Sequence, residues 1–230
     1  MEIADKIALV TGGSSGLGLG IAQKLIQEGA TVYICGRSQN SLDKAKQQFN
    51  SEKLFTIVCD VANPEQVESM AKQIENLDIL VNNAGVWLEG ALETNDYDKI
   101  AGVLDSNLKG LIYVTKAFLG KMKEKNSGMI INIASRLGII PREFASVYSA
   151  SKFGVRGFTD SLKLELLKTK IKIIGFYPGR MFTQLFEKAG FHKEGLEGTL
   201  NPQDVAETIV FIIKRPGNMT IDHIVINKYD

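Results

Sequence analysis

The sequence is poor in the residues that hold metals and disulfides. It has two cysteines, Cys35 and Cys59, and two histidines, His192 and His223, in 230 residues. Each cysteine ends an apolar run, which reads as a small buried residue at a strand end rather than half of a disulfide. No Cys-x-x-Cys pair and no Cys/His spacing suited to zinc occurs, so no metal site is expected. An excess of one charge is also missing: 27 Lys+Arg against 26 Asp+Glu give a formal net charge of +1. A nucleic-acid or anionic-membrane partner would call for a basic excess, and neither is expected. No apolar run approaches the ~20 residues that span a bilayer. The stretch Met1 to Asp5 has no basic region followed by an apolar one, and the expected location is the cytoplasm.

What is present is a chain with 44% hydrophobic and 23% charged residues, the balance of a folded domain. Its length suits one α/β domain over 1–230 and is short for two. Short apolar runs alternate with helical patterns. Ile7–Val10, Thr31–Cys35, Leu54–Cys59, Ile79–Val81, Met129–Ala134, Ile171–Phe176 and Ile221–Ile226 read as strands. Most are apolar throughout, as expected of strands covered on both faces. Leu17–Gln27, Ser41–Phe49, Pro64–Ile74, Asp98–Lys123, Val147–Lys168 and Pro202–Lys214 read as helices. Gly29 is a helix stop, and Pro64 and Pro202 each follow an Asn, the pairing of N-cap and first helical residue. This alternation predicts an α/β fold: a single-domain, Rossmann-type, doubly wound parallel sheet of about seven strands flanked by helices. The stretch Gln184–Leu200, with Gly190, Gly195 and Gly198 among charges and aromatics, reads as an insertion near 184–200 that acts as a substrate lid.

The first strand runs into Thr11-Gly12-Gly13-Ser14-Ser15-Gly16-Leu17-Gly18. A glycine-rich turn between strand and helix lets backbone amides approach a pyrophosphate, and the helix N-terminus adds a partial positive charge. The same glycines would also serve a plain tight turn that needs positive φ. The spacing is T-G-x-x-x-G-x-G rather than the common dinucleotide pattern G-x-G-x-x-G. Further motifs follow in order: Asp60-Val61 after the third strand, Asn82-Asn83-Ala84-Gly85 after the fourth, and Asn107 in a helical stretch. Ser135 ends the fifth strand, Tyr148 and Lys152 form Y-x-x-x-K, and Pro178-Gly179-Arg180-Met181-Phe182-Thr183 follows the sixth.

Taken together, over roughly residues 5–215, these motifs resemble the classical branch of the short-chain dehydrogenase/reductase family. The extended branch needs glycine where this chain has Ser15. The resemblance implies an oxidoreductase that moves a hydride between a nicotinamide and a carbonyl or alcohol. It implies that Gly12, Ser14, Ser15, Gly16, Leu17 and Gly18 cradle the cofactor, and that Asp60 and Val61 hold its adenine. Asn83, Ala84 and Gly85 would let it pass closely, Asn82 would brace the sheet, and Pro178, Gly179, Met181 and Thr183 would grip the carboxamide. The implied catalytic set is Asn107, Ser135, Tyr148 and Lys152, with Tyr148 and Lys152 also touching the cofactor.

The chemistry suits those roles. Tyr148 and Lys152 are four apart on a helix and share a face. Tyrosine titrates near ~10, too high for a base at neutrality, and a nearby ammonium favours the phenolate. Lys152 would also donate to ribose hydroxyls. The Ser135 hydroxyl would bond the carbonyl oxygen where negative charge develops, and Asn107 would hold a water on a proton path through Lys152.

The second strand ends in Cys35-Gly36-Arg37-Ser38. An acidic residue there would hold the 2′-hydroxyl of NAD and repel a phosphate. Gly36 followed by Arg37 and Ser38 points to NADP(H) rather than NAD(H), although the glycine loop lacks the basic residue that many NADP-using relatives carry. Val86, Trp87, Leu137, Phe144 and Met181, with Phe182, Leu185 and Phe186, suggest an apolar pocket for a small to medium ketone, aldehyde or secondary alcohol. Arg136, Arg142 and Arg180 flank catalytic segments, where they would bind an anionic group or pair with neighbours such as Glu143. Apolar residues on more than one face of the 98–123 and 147–168 helices imply a homodimer or homotetramer. The C-terminal end lacks the glycine pair that many relatives use to build a tetramer. A catalytically idle NADP-binding sensor or scaffold is the alternative reading; such relatives usually lack one of the four catalytic residues.

Overall fold

The computed structural model describes residues 2–49, 51–181, 183 and 199–228. Its strands are β1 (Ile7–Thr11), β2 (Thr31–Gly36), β3 (Leu54–Val58), β4 (Ile79–Asn82), β5 (Gly128–Ile133), β6 (Ile171–Pro178) and β7 (His223–Ile226). Its α-helices are α1 (Gly16–Gln27), α2 (Gln39–Phe49), α3 (Pro64–Gln73), α4 (Tyr97–Leu104), α5 (Gly110–Glu124), α6 (Ser146–Glu165) and α7 (Pro202–Ile213). The strands form one parallel sheet in the order β3-β2-β1-β4-β5-β6-β7. Chain order reverses between β1 and β4, so a crevice opens there at the carboxyl ends of the strands.

Every residue of β4 and β5 is buried, because helices cover both faces. On one face Val10, Ile34, Val81 and Ile131 pack with Ile21 and Leu25 of α1, Leu42 of α2 and Ile209 of α7. On the other, Leu9, Leu80 and Ile130 pack with Met70 of α3, Phe118 of α5 and Leu162 of α6. The alternation of neighbouring residues between the two clusters is the period-2 geometry of a strand. Among the described residues, no helix is long and apolar enough to cross a membrane.

The helix signals read from the sequence act as expected. The Asn63 and Asn201 side chains accept from the backbone N–H groups of Gln66 and Gln203, with Pro64 and Pro202 opening the helices behind them. Gly29, at φ +91°, turns the chain out of α1. The stretch Asp98–Lys123 does not form one helix. A π-helical turn, Asp105–Lys109, separates α4 from α5 and carries Asn107 at its centre. The inserted residue breaks the regular i→i−4 ladder, as such turns do. Close to it, a Cβ on Gly110 would lie 2.7 Å from Val61 Cγ2, so glycine lets α5 approach the loop after β3.

Two buried asparagines tie the middle of the sheet to its helices. Asn82 Nδ2 on β4 donates to Thr115 Oγ1 on α5 and to Asn132 Oδ1 on β5, each at 2.9 Å. Asn132 Nδ2 donates in turn to Thr159 Oγ1 on α6 at 2.9 Å. The network satisfies both amide donors and the Asn132 oxygen, and leaves Asn82 Oδ1 buried without a partner.

Candidate active site

The crevice at the chain reversal is a cavity of about 700 Å³. Its floor is the glycine turn between β1 and α1. Gly12 (φ +63°) and Gly16 (φ +54°) adopt left-handed conformations there, which only glycine takes at little cost. Space is equally decisive: a Cβ on Gly12 would meet Ala84 Cα at 2.9 Å, and one on Gly18 would lie 2.5 Å from both Gly12 O and Asn83 Nδ2. Thr11 staples the loop to the far side of the reversal. Its Oγ1 accepts from Asn83 N at 2.9 Å and Ala84 N at 3.0 Å, while Asn83 Nδ2 donates back to Thr11 O at 2.9 Å and Gly12 O at 3.2 Å. Ser15, the N-cap of α1, is extended and its side chain makes no cap hydrogen bond. The first turn of α1 therefore offers backbone amides and a positive dipole end for an anion.

At one end of the cavity Gly36, Arg37, Ser38, Asp60 and Val61 line the wall. One Asp60 oxygen accepts from Ala62 N at 3.0 Å, and its backbone N–H donates to Gln66 Oε1 at 2.8 Å, which fixes the loop after β3. Cys35 and Cys59 lie beneath, as buried free thiols.

At the other end lie Ser135, Tyr148 and Lys152. Ser135 sits just past β5 as the N-cap of a short 3-10 turn, Arg136–Gly138, and its Oγ accepts from Leu137 N at 3.1 Å. It serves as cap and cavity wall together. The Ser135 hydroxyl lies close enough to the Tyr148 phenol to influence its titration. The Trp87 ring packs 4.3 Å from the Tyr148 ring, tilted by 54°. Burial pushes the phenol up to about 12, and the nearby Ser135 hydroxyl opposes that shift. Lys152 Nζ donates to Ile133 O at 3.0 Å and lies 5.7 Å from the Tyr148 ring centre. Burial lowers the lysine to about 8, so it still carries its proton at neutral pH.

Asn107 is buried and stands behind the cavity wall. Its Oδ1 accepts from Val86 N at 2.7 Å, and its Nδ2 donates to Val86 O at 2.9 Å and Ser151 Oγ at 3.2 Å. Ser151 Oγ donates to Tyr148 O at 2.7 Å. Ser151 is a site residue that the motif reading passed over, although it sits inside Y-x-x-x-K and its small polar type was the available signal. A Cβ on Gly85 would lie 3.1 Å from Asn107 Oδ1 and 3.8 Å from Lys152 Nζ, which places all three side by side.

Of the residues singled out in the sequence, Gly12, Ser14, Ser15, Gly16 and Leu17, then Asn83, Ala84 and Gly85, then Pro178, Gly179, Met181 and Thr183, all line the cavity. Gly18 does not; it permits the approach of α1 to the loop. Cys35, Ser41, Cys59, Ser106 and Ile133 line it without having been expected. Of the expected pocket residues, Val86, Trp87, Leu137 and Met181 are present, while Phe144 is exposed and outside the lining. Phe182, Leu185 and Phe186 fall outside the described residues, as does all of the expected lid except Thr199 and Leu200. Among the described residues, no cluster suited to a metal ion occurs.

Known proteins share this fold. The short chain dehydrogenase family model matches residues 6–194. An uncharacterized oxidoreductase of Staphylococcus saprophyticus is 33% identical over 98% of both chains. The closed form of a serine dehydrogenase complexed with NADP+ superposes with a TM-score of 0.90 at 32% identity, covering 96% of this chain and 94% of that one. A variant of actinorhodin polyketide ketoreductase with NADPH gives 0.89 at 31% identity, covering 97% and 96%. The chain belongs to the short chain dehydrogenase family of oxidoreductases.

Proposed function

We propose that the protein is an NADP(H)-dependent oxidoreductase that transfers a hydride between the nicotinamide and a carbonyl or secondary alcohol, with Tyr148 as general acid/base. The observation that carries this reading is the meeting of Ser135, Tyr148 and Lys152 at one end of a cavity floored by the glycine turn. The cradle fits a dinucleotide: Gly12 and Gly18 let the turn pack closely against Asn83 and Ala84, and the N-terminal turn of α1 suits a pyrophosphate. Arg37 in the lining, with no side chain on Gly36 to repel a phosphate, supports the phosphorylated form. The two structures cited above, of a serine dehydrogenase with NADP+ and a ketoreductase with NADPH, point the same way.

When bound, the reduced nicotinamide supplies the hydride. The chain's own residues do the rest. The Ser135 hydroxyl donates to the substrate oxygen as negative charge gathers there. Tyr148 Oη passes its proton to that same oxygen, and its high pKa keeps the acid form ready at neutral pH. Lys152, held by the Ile133 carbonyl, keeps a positive charge near the phenol as it becomes phenolate. Asn107 holds Val86 and, through Ser151, the backbone at Tyr148. In alcohol oxidation the same groups act in reverse, with Tyr148 as base.

Loss of NADPH absorbance against a panel of ketones, aldehydes and diketones, with NADH in parallel, tests the reading. Turnover with NADPH well above that with NADH is expected. Tight NADPH binding with no turnover across the panel would overturn it in favour of a sensor.

A further inference from the structure

The cavity lining is strongly one-signed in a chain that is nearly neutral. Among the described residues, Arg37, Arg136, Arg142, Lys152 and Arg180 line it, against Asp60 alone of the acidic ones. Arg37 and Asp60 belong to the cofactor's adenosine end, and Lys152 to the catalytic centre. Two of the other arginines have partners. Arg142 is bound by Glu89, Nη2 to Oε1 at 2.5 Å, and its guanidinium lies 5.4 Å from the centre of the Trp87 ring. That pairing with Glu89, rather than the expected Glu143, holds it in place; Trp87 Nε1 donates to the same carboxylate at 3.2 Å. Arg180 is engaged elsewhere.

Arg136 differs. It has no acidic partner among the described residues. It follows Ser135 directly and opens the short turn that the Ser135 hydroxyl caps. Its backbone position is thus fixed to the residue that would meet the substrate oxygen. Arg136 is exposed and lines the same cavity as the apolar Val86, Trp87 and Leu137. A cation in a partly apolar cavity, one residue along the chain from the hydroxyl that would bind the reacting oxygen, is an arrangement that would select a short oxo or hydroxy acid.

We infer that the substrate carries a carboxylate and that Arg136 is the specificity-determining residue that binds it. The inference rests on the oxidoreductase reading for its reaction, but its binding arm stands apart. Pyruvate, acetoacetate and levulinate, each beside its neutral methyl ester, are to be compared as substrates with NADPH. At least one acid should exceed its ester roughly tenfold or more in kcat/KM, the scale of one charge-assisted hydrogen bond. Arg136→Met should lower kcat/KM for the acid at least tenfold more than for the ester, mainly through KM, and Arg136→Lys should recover part of it. The KM for the acid should rise with salt.

Separately, calorimetric titration of 3-hydroxybutanoate into the NADP+-loaded protein should give heat that Arg136→Met removes. Carboxylate binding lost in Arg136→Met without any turnover would sustain the inference and sink the oxidoreductase reading. Turnover of esters at least equal to their acids, or a fall in Arg136→Met shared equally by acid and ester, would overturn the inference and leave that reading standing.

Discussion

Tyr148 and Lys152 are both buried, and burial moves them in opposite directions: the phenol up to about 12, the ammonium down to about 8. The second shift makes Lys152 a stability cost. Its folded value lies below its ordinary 10.5, so between those two values the unfolded chain binds more protons and stability rises with pH. Below about pH 8 the full penalty applies, roughly 3 kcal/mol. Lys152→Met should therefore raise the midpoint of urea unfolding of the cofactor-free protein at pH 7, with the gain shrinking as pH climbs toward 10, while turnover collapses. A midpoint that falls at pH 7 would contradict this. Tyr148 contributes in the opposite sense, holding its proton in the folded state until about 12, so its contribution is lost only above pH 10. Arg37 makes a different residue-scale claim. If it meets a 2′-phosphate, Arg37→Ala should lower kcat/KM for NADPH ten- to hundredfold and leave NADH much less affected. Equal losses with both would remove it from cofactor choice.

The elements turn these residues into a site, and glycine governs how closely they approach. Gly18 lies inside α1, where alanine would favour the helix by about 1 kcal/mol. A Cβ there would still meet Gly12 O and Asn83 Nδ2 at 2.5 Å. Gly18→Ala should thus leave the helix intact and weaken NADPH binding at least tenfold, as read by quenching or enhancement of NADPH fluorescence. Undiminished affinity would show that the turn is not the cradle. The strands were legible to within two residues of their ends because each is a short apolar run bounded by turn residues. The break in Asp98–Lys123 was not. A 3.6-residue hydrophobic rhythm continues across a π turn, and what holds that turn open is Asn107 binding Val86, a contact made only by the fold. Ser151 was hidden for the same reason: its bond to the Tyr148 carbonyl is local to α6, but its contact with Asn107 is made only by the fold.

At the scale of the whole molecule, the chain reversal between β1 and β4 brings motifs from six loops into one cavity. Their order along the sequence was enough to expect that meeting, since each follows a strand and parallel strands end on one side. The inward reach of Cys35, Cys59 and Ser106 depends on how closely the helices seat, which no motif encodes. The outer surface of α5 and α6 is the second consequence of the architecture. A recess of about 270 Å³ there is lined by Ile112, Leu119, Phe158 and Leu162, among others, and Phe153 and Leu164 on α6 are exposed. An apolar surface of this kind on paired helices suits a second copy. Size exclusion with light scattering should give a dimer or tetramer, and a monomer at micromolar concentration would contradict it.

The central claim is that this cavity performs proton-coupled hydride transfer through Tyr148, and Tyr148→Phe tests it most directly. The substitution keeps the ring that packs against Trp87 and removes the proton donor. NADPH binding, measured by titration, should stay within a few-fold of the parent, while turnover of the best carbonyl substrate should fall by ~100-fold or more. Turnover that survives in Tyr148→Phe with binding intact would contradict the account.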